Sequence, residues 1–491
     1  MAFFNITRFH LLVMLYWQFS MYMISQMLFP IFGIYVPKWR CMSGMSNQTY
    51  AKDCKLFAEC NGNVEFENNF FQSAALEFDW TCGQAAHFTT VYIQIQFVGI
   101  ILGTLVFGSF ADAFGRKPAA IVDLLVAMSS SLIGGFAPNW QVLFASRFLI
   151  GFSVGGAVVA MTLCMELVLP EQRVPMRGLF NWGIARLCLT MSCFFFPEWR
   201  QSTLVFAPVC LCMLLIVILV LPESPTWLHN KGRIQKMHET EKYIAKVGKI
   251  EYVKSEVKEV DKSGTIIDLL KNPVLFKRLA VLWFMYFTSA ISSYGNDFNS
   301  TTISGNLYLN QALFSIFIAA SKLVLIYVDT KFPNFSRRNL HQGSQLLVCS
   351  CFFTLMFLNE HSVWILIVNL IGTIFIEYTW DAEGLAVVES MPTKLRSSAI
   401  GSCSLVARFG AILAPVLGYL NLYWPLSIYT IITVVGLVNL FVSYMWLVET
   451  KGVTLDNVEL DDKLLEEEVH MATHHETSDL LNKAEKKKSI S

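Results

Sequence analysis

The sequence predicts an all-α membrane protein with twelve transmembrane helices in two pseudo-symmetric six-helix bundles, and three observations carry that prediction. First, 54% of the 491 residues are hydrophobic and only 15% are charged, whereas water-facing globular chains carry about 25% charge. Second, the chain holds twelve stretches near the roughly 20 apolar residues that cross a bilayer as helix. Third, short motifs recur once in each half at a nearly constant offset. The charge deficit excludes a disordered chain, a nucleic-acid module and an ordinary cytosolic enzyme, because a hydrated surface needs more charge than this chain owns. With 37 basic and 37 acidic residues, no global field attracts nucleic acid.

The expected spans are 11 to 33, 89 to 110, 119 to 137, 140 to 163, 179 to 197, 203 to 221, 279 to 298, 308 to 328, 341 to 358, 363 to 388, 398 to 420 and 426 to 448. The first is too long for the core of a cleaved signal and lacks a small-residue cleavage site, so it reads as a permanent helix. Arg116, Lys117, Arg173, Arg177, Lys331, Arg337, Arg338, Lys394 and Arg396 fall in loops of one parity, and the short loops of the other parity hold only Arg200. Because cytoplasmic loops carry the basic excess, both termini are expected in the cytoplasm of a multi-pass plasma-membrane protein.

The segments divide as an N-terminal bundle 1–221 with an outer loop 34–87, a cytoplasmic linker 222–278, a C-terminal bundle 279–448 and a cytoplasmic tail 449–491. The outer loop holds Cys41, Cys54, Cys60 and Cys82, which in an oxidising compartment imply two disulfides with three pairings open. Sequons at Asn47 and Asn299 lie outside by this topology and are the expected glycosylation sites. The linker has twelve Lys or Arg against eight acids. Its Ile234, Met237, Ile244 and Val247 fit either short amphipathic helices or a solvated connection. The tail contains Glu476-Thr-Ser-Asp-Leu-Leu481, a weak match to a trafficking signal.

Glu166 and Arg173, with Pro170 between them, recur as Glu389 and Arg396 around Pro392, at an offset of 223 for both residues. Leu221-Pro222-Glu223-Ser224 is echoed by Leu447-Val448-Glu449-Thr450. Duplicated halves meeting near the midplane describe secondary transporters, in which one half rocks against the other. The chain has no His-Glu-x-x-His, no phosphate-cradling Gly-x4-Gly-Lys-Ser/Thr and no Gly-x-Ser-x-Gly, so no enzyme, metal or cofactor is expected.

Gly108-Ser-Phe-Ala-Asp112-Ala-Phe-Gly115-Arg116-Lys117 closes the second span. Gly108 is one turn before Asp112 and would let another helix approach where the carboxylate points. Asp112 would accept from a helix amino end or from an Arg of the other bundle, and Gly115 would allow the tight turn that presents Arg116. Such contacts would latch the cytoplasmic gate.

This motif resembles the loop 2-3 motif of the major facilitator superfamily. Phe78-Asp-Trp-Thr-Cys82, Arg147-Phe-Leu-Ile-Gly-Phe-Ser-Val-Gly-Gly156, Met165-Glu-Leu-Val168, Pro222-Glu223-Ser-Pro225-Thr-Trp-Leu228 and Glu449-Thr-Lys-Gly452 are similar to the organic anion and cation transporters of solute carrier family 22. The resemblance implies a polyspecific carrier of small organic ions working by alternating access. It also implies that Asp112, Arg116, Arg147, Glu166, Arg173, Glu389 and Arg396 form one cytoplasmic charge network. Loop 8-9 departs from the pattern: Asp329 is separated from Arg337-Arg338 by seven residues without Gly, so the second latch is expected to be degenerate or remodelled.

Ionisable residues deep in a span are costly and mark a wet cavity or a partner. Lys322 and Arg408 are similar to basic positions of the organic anion carriers, which favours an anionic substrate with Arg408 forking a carboxylate. Glu377 and Asp381 share a face of the tenth span while Glu383 points elsewhere. They would pair with Lys322 and Arg408, bind the cationic end of a substrate, or relay protons. Arg186 is either a cavity ligand or the partner of an acid. Tyr16, Trp17, Trp182, Trp283, Tyr286 and Tyr294 offer stacking or cation-π faces, although most aromatics of such a chain only pack. The expected activity is transport of small organic anions by exchange for a counter-transported anion or by facilitated uptake. Organic cation or carnitine-like zwitterion transport, and a non-transporting sensor or scaffold, are the alternatives.

Overall fold

The computed structural model describes residues 7–447 apart from 43–49, 51, 53, 55–56, 58–63, 68–69, 253–265, 304, 333–335, 359–362, 393, 422–423 and 425. Asn47, Cys60 and the tail 449–491 lie outside the described residues.

Twelve helices build the two bundles. The first six are α1 Arg8–Ser25, α2 His87–Phe114, α3 Arg116–Gly135, α4 Trp140–Leu167, α5 Trp182–Phe195 and α6 Phe206–Leu219. The second six are α7 Pro273–Asn299, α8 Leu307–Lys331, α9 Arg337–Leu355, α10 Val363–Ser390, α11 Arg396–Leu420 and α12 Ser427–Trp446. Side-chain caps start many of them, since the first turn of a helix has amides without partners. Asn139, Asn181, Asn272, Asn306 and Ser336 each accept from amides two or three residues on.

Eleven helical segments are long and apolar enough to cross a membrane; α9 falls short of that measure. Its buried face explains why. Arg337, His341, Ser344 and Gln345 point into the protein, while Leu346, Leu347 and Phe353 are exposed. Polar residues turned inward lower the average of the helix without exposing polarity to lipid.

Packing within the N-terminal bundle centres on α2 against α4. A Cβ added at Gly103 would stand 1.8 Å from the Phe152 carbonyl oxygen, and one at Gly151 would stand 2.0 Å from that of Gln96. The backbones of these helices are therefore in direct contact, as small residues permit inside membranes. Gly108 does not serve this purpose, contrary to expectation: a Cβ there meets nothing within 4 Å. The close approach occurs higher on α2, on the face that carries Gly99 and Gly103.

The bundles meet through α5 with α8 and α2 with α11. Gly183 of α5 lets Ala319 of α8 come within 2.3 Å of where its Cβ would lie. On one face of the molecule, loop 34–87 forms a hairpin of β1 Trp39–Cys41 and β2 Val64–Phe66, antiparallel with Arg40 opposite Glu65. Cys54 is bonded to Cys82, and Cys41 is disulfide-bonded too. This is the disulfide face. The opposite, linker face carries helices Pro225–Asn230, Ile234–Gly248 and Ile266–Lys271. Met237 packs with Trp227 and Leu228, and Gly248 lies against Thr7 at the start of α1. These linker helices are amphipathic and packed on the bundle.

Gly103→Val forces a side chain into the Phe152 carbonyl and is expected to cost on the order of 3 kcal/mol or more. Size-exclusion profiles of detergent-extracted protein should show loss of the monodisperse peak for Gly103→Val and its retention for Gly108→Val.

Candidate substrate cavity and gates

A cavity of about 240 Å³ lies between the bundles. Ile24 lines it from the end of α1, Met27 from the turn that follows, Trp182 from α5, and Tyr286, Ser293, Tyr294 and Asp297 from α7. Glu377 and Trp380 line it from α10, and Ser404, Ala407 and Arg408 from α11. Residues three or four apart on a helix share a face, which is why Glu377 and Trp380, Tyr294 and Asp297, and Ser404 and Arg408 arrive in pairs.

Lys322 reaches from α8 to α10, where Nζ lies 2.9 Å from Glu377 Oε2 and 2.8 Å from Asp381 Oδ2. One lysine against two carboxylates leaves a formal excess of one negative charge on this wall. Arg186 pairs with Asp297 across the bundle boundary at 2.8 Å, both side chains buried. Arg408 makes a different contact: Nη1 donates to the Tyr294 hydroxyl at 3.2 Å, and no acid among the described residues forms an ion pair with it. Tyr294 in turn donates to Met27 Sδ at 3.0 Å. Of the other aromatic candidates, Trp182 and Tyr286 line the cavity. Tyr16 is buried in the N-terminal core, Trp17 donates to the Phe180 carbonyl, and Trp283 donates to Ser402.

The sequence does not single out Asp297, which lies at the edge of the expected span 279 to 298. The helix continues to Asn299 and buries the acid. Trp380 was missed as well, although its spacing from Glu377 places it on the cavity face. Asn299 is buried in the last turn of α7, and its amide donates to the Tyr429 hydroxyl.

Above the cavity, on the disulfide face, the bundles are joined by rings. Phe97 of α2 packs edge-on against Tyr294 at 4.9 Å and touches Phe298. Gln94 of α2 donates to the Ile412 carbonyl of α11.

On the linker face the motif residues stay within their own bundle. Gly115 has φ +118°, a conformation that favours glycine, and turns the chain so that α3 starts at Arg116. Arg116 Nη1 binds Asp112 at 2.6 Å, and its Nε lies 3.7 Å from Glu166. The amino end of α3 is capped by Glu223, not by Asp112: Glu223 Oε1 accepts from the amides of Arg116 at 2.9 Å and Lys117 at 3.2 Å. A carboxylate suits that position because a helix start concentrates partial positive charge. Lys117 Nζ donates to the Leu221 carbonyl beyond α6. Asp112 therefore meets an Arg of its own bundle. Arg173 is exposed.

Arg147 does not belong to this network. It is 19 residues before Glu166 on α4, about 28 Å away along the axis. It is buried over the rings of Phe29 and Tyr92, and its Nη2 donates to Thr203 Oγ1 at 2.8 Å.

The C-terminal bundle rebuilds the same triad despite its altered loop. Arg337 Nη1 binds Asp329 at 2.6 Å and its Nε lies 3.5 Å from Glu389, matching Asp112, Arg116 and Glu166. The ion pair is remodelled, not lost. Arg396 donates to the Met391 carbonyl.

Two six-helix bundles enclosing a charged, ring-lined cavity, with mirrored ion-pair triads on one face, define a membrane carrier. Residues 57–461 match the family described as Sugar (and other) transporter, and the chain belongs to that family of the major facilitator superfamily. It is 37% identical to an uncharacterized protein of Caenorhabditis elegans, over 95% of this chain and 97% of the relative. It is 27% identical to organic cation/carnitine transporter 4 of Arabidopsis thaliana (83% and 80% covered) and 28% identical to solute carrier family 22 member 3 of Rattus norvegicus (84% and 75%). Among solved structures, the proton:xylose symporter XylE bound to a bromodeoxyglucose superposes with a TM-score of 0.63 at 14% identity, covering 92% of this chain and 98% of that one. The E. coli transporter in its inward-open conformation gives 0.60 at 15% identity, with the same coverage. The fold and family are those of transporters and not of enzymes.

Lys322→Ala strands Glu377 and Asp381 together in a partly buried site, and the loss should fall below the about 3–5 kcal/mol that removing one partner of a fully buried pair costs. Thermal unfolding of the purified protein should show a lowered midpoint for Lys322→Ala, largely restored by adding Glu377→Gln and Asp381→Asn.

Proposed function

We propose that the protein carries small organic zwitterions, a cationic ammonium and a carboxylate on one compact scaffold, by alternating access across the plasma membrane. The observation that carries this reading is the opposition of charge across one cavity. Arg408 on α11 has no acidic ion-pair partner among the described residues, while Glu377 and Asp381 of α10 share the single Lys322 of α8, with Glu377 lining the cavity. A guanidinium holds a carboxylate with two parallel hydrogen bonds. Trp182, Tyr286 and Trp380 supply the ring faces that attract an alkylated ammonium. The likeness to organic cation/carnitine carriers supports the same class. Arg186, neutralised by Asp297, serves as a link between bundles, not as a ligand.

A second reading, transport of organic anions with exchange for another anion, is favoured by Arg408 alone. It leaves the acids of α10 as partners of Lys322 without a substrate role. The non-transporting scaffold loses its motive, because the loop 8-9 ion pair is present. In the proposed orientation both termini and the linker face are cytoplasmic, as the basic loops require, and the disulfide face is extracellular.

Expressing cells should take up labelled L-carnitine more than tetraethylammonium or a dicarboxylate. Arg408→Ala removes a charge-assisted contact of about 2 kcal/mol, so KM for L-carnitine should rise roughly 30-fold. Uptake of the dicarboxylate alone would establish the anion reading instead.

A further inference from the structure

Glu383 lies on α10 six residues past Glu377 and three past Trp380, and is fully buried. Its Oε1 accepts from Ser289 Oγ of α7 at 2.7 Å and stands 3.9 Å from Nδ1 of His341 on α9. His341 is fully buried too. Glu383 Oε2 and both ring nitrogens of His341 have no hydrogen-bond partner among the described residues. Two proton-binding groups thus face each other in an apolar interior with three polar atoms uncommitted.

The groups around them do not supply a fixed counter-charge. Tyr286 and Ser289 face Glu383 from α7 and Cys403 from α11. Arg337, one turn before His341, is committed to Asp329 and Glu389. On α10 itself, Glu377 and Asp381 are committed to Lys322 from α8. From α12, Asn439 binds Gln345, one turn after His341. A carboxylate removed from water without a cation is strongly disfavoured, and a single proton held between the carboxyl and the imidazole removes that charge.

Position links this pair to the cavity. Tyr286, whose hydroxyl lies 3.9 Å from where a Cβ of Gly384 would be, lines the cavity in front of Glu383, and Trp380 lines it from the same helix. Helices α7 and α10 therefore shape both sites. Toward the linker face, Arg337 lies one turn before His341 at the start of α9.

We propose that Glu383 and His341 form a proton-binding site and that the carrier couples substrate movement to that proton. The proton arrives from water at one face, resides on the Glu383 carboxyl or the His341 ring, and returns to water at the other face when the bundles have rocked. The inference rests on the reading of the chain as a transporter, not on the identity of its substrate.

The test uses the purified full-length protein in proteoliposomes with a trapped pH dye, an imposed pH gradient and L-carnitine as probe. Wild type should accumulate L-carnitine with a dye response. Glu383→Gln should lose roughly tenfold or more of the gradient-driven accumulation and the dye response, while equal-concentration exchange of L-carnitine persists. Undiminished gradient-driven accumulation in Glu383→Gln overturns the proposal. If wild type carries no L-carnitine, the zwitterion reading fails and the proton site is decided by infrared pH titration of the same protein. A protonated-carboxyl band that disappears in Glu383→Gln and shifts in His341→Gln supports the site, and absence of such a band in wild type overturns it. His341→Gln also carries the accumulation test should Glu383→Gln fail to fold.

Discussion

Arg186 and Asp297 hold each other at 2.8 Å across the boundary between the bundles, and the constraint they obey governs the rest of the molecule. A charge inside the apolar slab needs a partner or water. Lys322 answers it with two carboxylates, Glu383 with Ser289 and the neighbouring His341, and Arg147 with two aromatic faces and a threonine hydroxyl. Arg408 answers it with a phenol. Neither Arg147 nor Arg408 has an acidic ion-pair partner among the described residues, and of the two only Arg408 lines the cavity.

The two bundles solve one mechanical problem twice. In each, an acid at the end of the second helix, an arginine at the start of the third and a glutamate at the end of the fourth converge on the linker face. The arginine brings three helix ends together and so fastens each bundle at the linker face. In the first bundle Gly115 brings the arginine around in a tight turn; in the second, a longer loop does so without glycine. The ion pair survived the change in spacing because Asp329 and Arg337 need only meet, whatever the path between them.

Much of this arrangement was legible in the sequence, and for physical reasons. Long apolar stretches can only be helices in lipid, so the twelve helices followed from composition, with even α9 recognisable despite its inward polarity. Glu377 and Asp381 stood out by their helical spacing. Pairing was less legible. Nothing local says that Lys322 meets both of them or that Arg408 meets Tyr294, because those contacts depend on how α8, α10 and α11 pack. Asp297 stayed hidden because a span's end was judged by hydropathy, which cannot tell a buried acid from a hydrated one. Gly108 misled in the opposite direction, since a glycine signals that close approach is possible, not that it occurs. Arg147 was assigned to the wrong face by its company in a motif, although its distance along α4 from Glu166 excludes a shared site.

The loop 34–87 is fastened to both sides of the bundle boundary. Cys54 is bonded to Cys82 just before α2, and Gln72 exchanges backbone hydrogen bonds with Pro197 and Trp199. On the far side Lys52 donates to the Thr301 carbonyl, while Tyr308 of α8 donates to that of Phe70. The loop thus ties both bundles together at this face, so any parting of the bundles there has to break these contacts or carry the loop along.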